Sequence, residues 1–178
     1  MKIPLSIKEV QIPDDVEVKI DGALVHVKGP KGELERTLAN PCLTIEKKDN
    51  KVEVKCEAPR KKEAALVGTF AAHIRNMIKG AREGFEYKMK IRYSHFPMKV
   101  SVKDGEVIIE NFLGEKHPRK ARIFGNVTVT VKEDEVTLTG TTKEEIGQTA
   151  ANIERATRVR RRDIRVFQDG IYITTKGV

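Results

Sequence analysis

The chain contains an internal duplication, which limits its possible folds more than any other feature of the sequence. The alternating segment Val18-Lys-Ile-Asp-Gly-Ala-Leu-Val-His-Val27 is matched 82 residues later by Val100-Ser-Val-Lys-Asp-Gly-Glu-Val-Ile-Ile109. The pattern Val67-Gly-x-x-Ala-Ala-x-Ile74 returns 79 residues later as Ile146-Gly-x-x-Ala-Ala-x-Ile153. Because loops tolerate short insertions and deletions, the small difference between the two offsets is expected. The 178 residues therefore predict two copies of one unit.

Each copy begins with segments that alternate apolar and polar residues, as half-buried strands do. Asp21-Gly22 and Asp104-Gly105 interrupt this alternation and predict hairpin turns. A second hairpin is predicted in each copy, over residues 45–54 and 127–138. The first part of each copy is therefore predicted to form mostly antiparallel strands.

One helix with an apolar face follows the strands of each copy. It is predicted over residues 61–79 in the first copy, with Gly80 at its C-cap, and over residues 143–156 in the second. Gly68 and Gly147 occupy matching places, although glycine costs a helix roughly 1 kcal/mol relative to alanine. We interpret both as points of close helix–sheet approach. The predicted buried faces comprise Ala64, Ala65, Val67, Gly68, Ala71, Ala72 and Ile74 in the first helix and Ile146, Gly147, Ala150, Ala151 and Ile153 in the second.

The predicted fold class is α+β, with two tandem duplicated modules. Each module is expected to be a small, mostly antiparallel sheet with one helix packed on one face. We place the first sheet-plus-helix module at residues 1–82 and the second at residues 98–178. Residues 83–97 are predicted to be a joint and connecting strand.

The positive charge of the chain is concentrated in two segments of the second module. The whole chain has 34 Lys and Arg against 26 Asp and Glu, a formal net charge of +8. Residues 155–165 contain six arginines and one acid, and residues 115–122 contain four basic residues and a histidine. A solvated surface is the usual interpretation of a charge run, but crowded guanidinium groups repel one another and match phosphate in a bidentate manner. The pattern therefore predicts nucleic-acid contact.

We expect both basic segments at one end of the second module, where they would hold the backbone of a helical RNA. Recognition would then depend on shape rather than on reading bases. Aromatic residues make up only 5% of the chain, so stacking on single-stranded bases is a weak alternative. Phe124 and Phe167 flank the basic segments and are expected in the core.

The sequence contains no residue pattern that indicates catalysis, a metal site or a cofactor. There is no phosphate-binding or dinucleotide-binding glycine motif. Gly29-Pro-Lys-Gly32 links two predicted strands and is interpreted as a tight turn rather than as a nucleic-acid-binding loop. Ser94 and His95 are interpreted as strand neighbours, whose side chains cannot meet as nucleophile and base. The four histidines show no metal-binding spacing: His26, His73, His95 and His117.

The sequence leaves the redox state of its two cysteines open, but its apolar runs give an expectation for the cellular compartment. Cys42 and Cys56 lie in neighbouring strand-like segments, where a disulfide is geometrically possible and free thiols are commoner. Their redox state stays open. No apolar run approaches the roughly 20 residues that span a bilayer, and charged sequence follows the first residues in place of a leader's apolar stretch. We expect a cytoplasmic protein without membrane contact.

Three motifs carry a resemblance to a known family. They are Tyr93-Ser-His-Phe-Pro97, Asn111-Phe-Leu-Gly-Glu-Lys116 and Asp163-Ile-Arg-x-Phe-x-Asp-Gly-Ile-Tyr172. With them, and with its duplicated module and its length, the chain resembles universal large-subunit ribosomal protein six in its archaeal and eukaryotic branch. The resemblance covers essentially the whole chain. It departs from the family's usual residues at Ser94, where alanine is frequent, and at Met98-Lys99, which replace Ile-Asn.

The resemblance implies a structural constituent of the large ribosomal subunit that supports assembly and translation. It implies binding to large-subunit rRNA near the sarcin–ricin loop and the base of the factor-binding stalk, beside other ribosomal proteins and docking translational GTPases. The second module is implied as the main RNA contact, and Asp163, Asp169 and Gly170 as residues that fix the terminal turn. The residues then expected to contact phosphate are Lys116, Arg119, Lys120, Arg122, Arg155, Arg158, Arg160, Arg161, Arg162 and Arg165.

Two other functions remain open at this point. A free-standing RNA-binding chaperone would use the same basic surface without belonging to the ribosome. A nuclease would need a histidine such as His95 or His117 at its centre. The resemblance implies neither a catalytic residue nor a cofactor.

Overall fold

The computed structural model describes residues 5–177. Residues 1–4, which open the segment considered above for a leader, and residue 178 lie outside the described part. The chain divides into two compact units, and the division falls between Gly84 and Phe85. Each unit has its own hydrophobic core.

The first unit consists of six strands and one helix. The strands form two antiparallel sheets, in the orders β1-β6-β5 and β2-β3-β4. Helix α1 packs against strands of both sheets. The elements are β1 (Leu5–Gln11), β2 (Glu17–Asp21), β3 (Leu24–Gly29), β4 (Gly32–Thr37), β5 (Thr44–Lys48), β6 (Lys51–Glu57) and α1 (Lys61–Arg82).

The second unit repeats this arrangement and adds one strand. Its sheets have the orders β10-β9-β8 and β11-β12-β7-β13, and all their paired strands are antiparallel. Helix α2 packs against β7, β10, β12 and β13. The elements are β7 (Phe85–Arg92), β8 (Lys99–Lys103), β9 (Glu106–Glu110), a 3₁₀ turn (Phe112–Gly114), β10 (Arg119–Arg122), β11 (Thr128–Lys132), β12 (Glu135–Gly140), α2 (Lys143–Ala156) and β13 (Gly170–Lys176).

The predicted α+β fold with two duplicated modules is confirmed. Each module has two small sheets where the sequence predicted one. Strand β7 lies within the predicted joint of residues 83–97, yet it pairs with β12 as β1 pairs with β6. In the structure it is therefore an integral strand of the second unit, and on its other side it pairs with β13.

The predicted hairpins form, and their turns explain why. Gly22 and Gly105 follow the aspartates of the Asp-Gly pairs and adopt φ values of +59° and +73°, which glycine accepts without strain. The other two hairpins turn through Asp49 and Glu133, also with positive φ. Local turn chemistry therefore determines the strand register in both units.

Helix α2 ends as predicted, whereas α1 runs three residues beyond its predicted end. Gly80 is buried inside α1, which ends at Arg82. Gly84 supplies the left-handed residue instead, with φ +78°, and its N–H donates to the Gly80 carbonyl at 3.1 Å. The helix continues because Ala81 is fully buried and adds to the core.

The interpretation of Gly68 and Gly147 as points of close approach is wrong. A methyl group added at either position would meet nothing within 4 Å. Ala65 and Ala72, predicted to be buried, are exposed. The first helix instead turns larger apolar side chains to the sheets, because their burial contributes more free energy than that of alanine. The buried residues that the pattern missed in α1 are Phe70, Met77, Ile78, Gly80 and Ala81.

The cysteines are not joined in the structure. Cys42 is exposed and Cys56 is buried in the first core. Burial raises the pKa of the Cys56 thiol, which favours its neutral form. In the described residues, no helix has the length and apolar character that crossing a membrane requires.

Candidate nucleic-acid interface

The ten basic residues predicted to contact phosphate differ in their surroundings. Nine side chains are exposed and that of Arg119 is half-buried. Lys120 forms an ion pair with Glu106 at 3.2 Å. Eight residues have no carboxylate of the described chain within 4.0 Å, namely Lys116, Arg122, Arg155, Arg158, Arg160, Arg161, Arg162 and Arg165. These eight side chains are consequently available to an anionic partner.

Arg119 is held by contacts within its own unit. Its Nε and Nη2 atoms donate to the two carboxylate oxygens of Glu115 at 2.8 and 2.6 Å. Its Nη1 atom donates to the carbonyl oxygens of Ala156 at 2.8 Å and Arg158 at 3.2 Å. The guanidinium carbon also lies 4.2 Å from the centre of the Phe112 ring. All three nitrogen atoms of Arg119 therefore already donate hydrogen bonds within the unit.

These contacts join the two basic segments. Arg119 belongs to β10 and its carbonyl partners lie at the end of α2, where the arginine-rich segment of residues 155–165 begins. The hydrogen bonds from Arg119 lower the pKa of Glu115, with a further contribution from the positive charge of Arg162. The structure thus brings together two segments that are separate in the sequence.

The arginine-rich segment has a defined backbone. The Asp163 carbonyl oxygen accepts hydrogen bonds from the N–H groups of Val166 at 3.2 Å and Phe167 at 2.9 Å. The Asp163 side chain accepts a third from the Arg165 N–H at 2.9 Å. Such a side-chain bond two residues onward stabilises a tight turn. The expectation that Asp163 fixes a turn remains a prediction, and these bonds support it.

Asp169 anchors the end of the segment to the loop after β7. Its side chain is 1% exposed and accepts hydrogen bonds from the Ser94 N–H at 2.7 Å and the His95 N–H at 3.3 Å. Its second oxygen lies 2.7 Å from His95 Nδ1. Burial acts to raise the pKa of Asp169, but these hydrogen bonds outweigh it and the net shift is downward. Ser94 and His95 therefore bind one carboxylate through neighbouring N–H groups, in a loop rather than in a strand.

The Phe167 ring packs against the His95 ring and the Arg162 guanidinium. The His95 ring lies 4.4 Å from the Phe167 ring with an interplanar angle of 19°, and the Arg162 guanidinium carbon lies 4.7 Å from the same ring. Phe167 is only half-buried and Phe124 is 54% exposed, so neither has the predicted place in the core. The backbone N–H of Phe124 is bound to the buried Thr149 hydroxyl at 3.0 Å, while its ring extends outward.

The motif of residues 111–116 also contacts the loop that follows β7. Asn111 Nδ2 donates to the Pro97 carbonyl at 3.0 Å, and a methyl group added at Gly114 would lie 3.4 Å from the Phe96 ring. Sequence reasoning missed the supporting residues Glu115, His95 and Phe167, although all three stand in the motifs that carried the resemblance. In the described residues, no group of three or more His, Cys, Asp or Glu side chains is arranged to hold a metal ion. The arrangement presents cations on a fixed backbone, which suits an extended anion.

Comparison with known proteins identifies similar chains. The model of the family described as Ribosomal protein L6 matches residues 12–84 and 96–170, one range in each unit. A protein from Methanothrix thermoacetophila named large ribosomal subunit protein uL6 is 54% identical over 170 residues, which is 96% of this chain and 97% of the relative. A protein of the same name from Methanococcus vannielii is 54% identical over 170 residues, covering 96% and 93%.

Proposed function

Because the chain belongs to the ribosomal protein L6 family, we propose that its second unit binds large-subunit rRNA through the arginine-rich segment of residues 155–165. As a member of this family, the chain is a structural constituent of the large ribosomal subunit, acts in translation and is not an enzyme. Its partners are rRNA and other ribosomal proteins.

One observation supports the basic segments of the second unit as the RNA-binding surface. Eight basic side chains lack a carboxylate partner among the described residues, and Arg119 joins the two segments that bear them. Such cations bind phosphates and release condensed counterions, which supplies most of the affinity for RNA. The fixed backbone favours recognition of helix shape over base sequence.

Arg119 has a different role in this proposal from the other nine residues. Its donors are engaged by Glu115 and by backbone carbonyls, so we assign it to support of the basic segments. Lys120 keeps an exposed ammonium beside Glu106, and phosphate would compete with that carboxylate. The other eight residues are the proposed phosphate contacts.

The resemblance described above suggests a finer location for the bound RNA. We propose that the bound rRNA lies near the sarcin–ricin loop and the base of the factor-binding stalk, where translational GTPases dock. The three motifs that carry the resemblance support this location, because their residues hold the proposed RNA-binding segment in place. The protein would thereby stabilise the rRNA fold during assembly and near the docking factors.

The test measures affinity for a transcript of the last domain of large-subunit rRNA at several salt concentrations. Replacing Arg160, Arg161 and Arg162 with alanine in the full chain is expected to reduce the slope of log affinity against log salt by up to about 3. The matched control removes three exposed lysines of the first unit that have no carboxylate partner among the described residues, namely Lys31, Lys61 and Lys62. An unchanged slope in the arginine variant, or an equal change in the control, would contradict the proposed surface.

Sedimentation distinguishes a ribosomal component from a free-standing RNA chaperone. After a moderate salt wash, the chain is expected to remain with the large subunit in a sucrose gradient. The arginine variant is expected to move partly to the free fraction, because it has lost phosphate contacts. Wild-type protein found only in the free fraction would favour the chaperone.

A further inference from the structure

We propose that the turn at residues 163–167 inserts Ile164 and Val166 into the shallow minor groove of an RNA helix, where they pack against ribose. This inference rests on the proposed RNA-binding function and names the part of the RNA that the surface would contact. It adds an apolar contact to a site described so far only by its charge.

The two side chains are unusual in their exposure. Ile164 is 69% exposed and Val166 is 61% exposed, the two highest values for large hydrophobic side chains in residues 5–177. They lie two residues apart in the arginine-rich segment. Single exposed hydrophobic residues are ordinary on protein surfaces, whereas clusters mark contact sites. We therefore interpret Ile164 and Val166 as a candidate contact site for a partner.

The turn holds both side chains at a fixed position. Asp163 accepts the backbone hydrogen bonds of Arg165, Val166 and Phe167, so the intervening residues form the tip. Beyond the tip, the buried Asp169 binds the loop after β7. Isoleucine and valine are β-branched and restricted at χ1, so they lose little rotamer freedom on binding. The tip thus presents two exposed apolar side chains on a backbone that is held by hydrogen bonds.

The charges around the tip identify RNA as the occupant. Arg165 lies in the tip, Arg160 and Arg161 precede it in the sequence, and none of the three has a carboxylate partner in the described chain. An RNA helix satisfies both parts of this surface, because phosphates border a groove that contains the C–H faces of ribose. The A-form minor groove is wide and shallow, so short side chains reach its floor. An apolar protein surface would leave these guanidinium groups unpaired.

The experiment compares the full chain with its Ile164→Ser, Val166→Ser double variant. The probes are an RNA duplex of about 20 base pairs and a DNA duplex of the same sequence. We expect RNA affinity to fall about tenfold at every salt concentration, with an unchanged salt slope, because apolar contact releases no counterions. The loss on DNA is expected to be smaller, because the B-form minor groove is narrow.

Two controls make the outcome specific. Ile7→Ser alters an exposed isoleucine of the first unit and is expected to leave RNA affinity unchanged. Ile164→Val with Val166→Ile keeps both side chains apolar and is expected to retain affinity. Wild-type affinity in the serine variant, a reduced salt slope or an equal loss on DNA would overturn the inference. Normal RNA binding with loss from the large subunit would assign the tip to a protein contact and also overturn it.

Failure of the inference is separable from failure of the proposed function. If the serine variant binds RNA as the wild type does while the arginine variant loses its salt slope, only the apolar contact is wrong. If the wild type itself shows no salt-dependent binding to RNA, the proposed function and the inference that rests on it both fail.

Discussion

Arg119 Nη1 donates a hydrogen bond of 2.8 Å to the carbonyl oxygen of Ala156, which holds strand β10 against the C-terminal end of α2. The same guanidinium makes a bidentate contact with Glu115. One side chain thereby satisfies a carbonyl at a helix end, where carbonyl oxygens lack partners within the helix. The most sequestered arginine of the basic region consequently supports the region's architecture.

Replacing Arg119 with lysine is expected to destabilise the second unit by about 2 kcal/mol. Lysine keeps the charge but has no planar fork to reach Glu115 and the Ala156 carbonyl together. Urea unfolding measures the loss. Arg122→Lys is the control, because its exposed side chain has no carboxylate partner in residues 5–177. Equal stability of the two variants would show that the contacts of Arg119 with Glu115 and Ala156 contribute nothing specific to stability.

The free energy of unfolding is expected to decrease at acidic pH because Asp169 becomes protonated. Its pKa is held below the ordinary value in the folded state, because hydrogen bonds from Ser94 and His95 outweigh burial. The unfolded carboxylate titrates near pH 4, so this contribution is present above about pH 4 and is lost as the pH falls through the folded pKa. Asp169→Asn is expected to lower the free energy of unfolding at neutral pH and to weaken its acid dependence. Urea unfolding at a series of pH values measures this, and a profile parallel to that of the wild type would contradict it.

The His95→Ala variant is expected to lose about 1 to 2 kcal/mol of stability, because both the Nδ1 contact with Asp169 and the stack on Phe167 disappear. Thermal unfolding gives the magnitude, and amide exchange of residues 158–168 shows where protection is lost. His117→Ala is the control, since His117 is exposed. A uniform change in exchange over the second unit would argue against a local effect on the arginine-rich segment.

Replacing Gly68 and Gly147 with alanine is expected to stabilise the chain by about 1 kcal/mol per site. Nothing lies within 4 Å of the added methyl group at either position, so only the gain in helix propensity remains. Gly29→Ala is the opposite case, because its Cβ would lie 2.5 Å from the Ala81 carbonyl oxygen. Thermal unfolding of the three variants checks this. Destabilisation at Gly68 or Gly147 would restore the packing interpretation.

A fragment of residues 85–178 is expected to fold, and a fragment of residues 98–178 is not. The shorter fragment lacks β7, which pairs with both β12 and β13, so its four-stranded sheet cannot form. Circular dichroism and amide proton dispersion distinguish the two. Cooperative unfolding of the shorter fragment would show that the predicted boundary at residue 98 is sufficient.

Features that depend on local chemistry were predictable from the sequence. The Asp-Gly pairs specify their hairpins because the turn needs positive φ, and the repeated pattern around Ile74 and Ile153 reveals two helices. The C-terminal end of α1 was harder to predict, because both Gly80 and Gly84 are suitable residues for a helix C-terminus. Burial of Ala81 decided between them, and burial depends on the sheets.

The predictions that failed depended on tertiary packing. The exposed ring of Phe124 follows from the bond between its backbone and Thr149, 25 residues away. Charge counting also groups Arg119 with Arg122, and only the contact of Arg119 with α2 shows that their surroundings differ. The sequence therefore identified the basic residues, while their different contacts within the chain required coordinates.

Strand β13 has no counterpart among the described residues of the first unit, whose last element is α1. The arginine-rich segment is consequently tethered at both ends, by α2 on one side and by β13 on the other. A segment restrained in this way has little conformational entropy left to lose when a ligand orders it. The additional strand of the second copy thus restrains the position of a highly charged loop before any ligand binds.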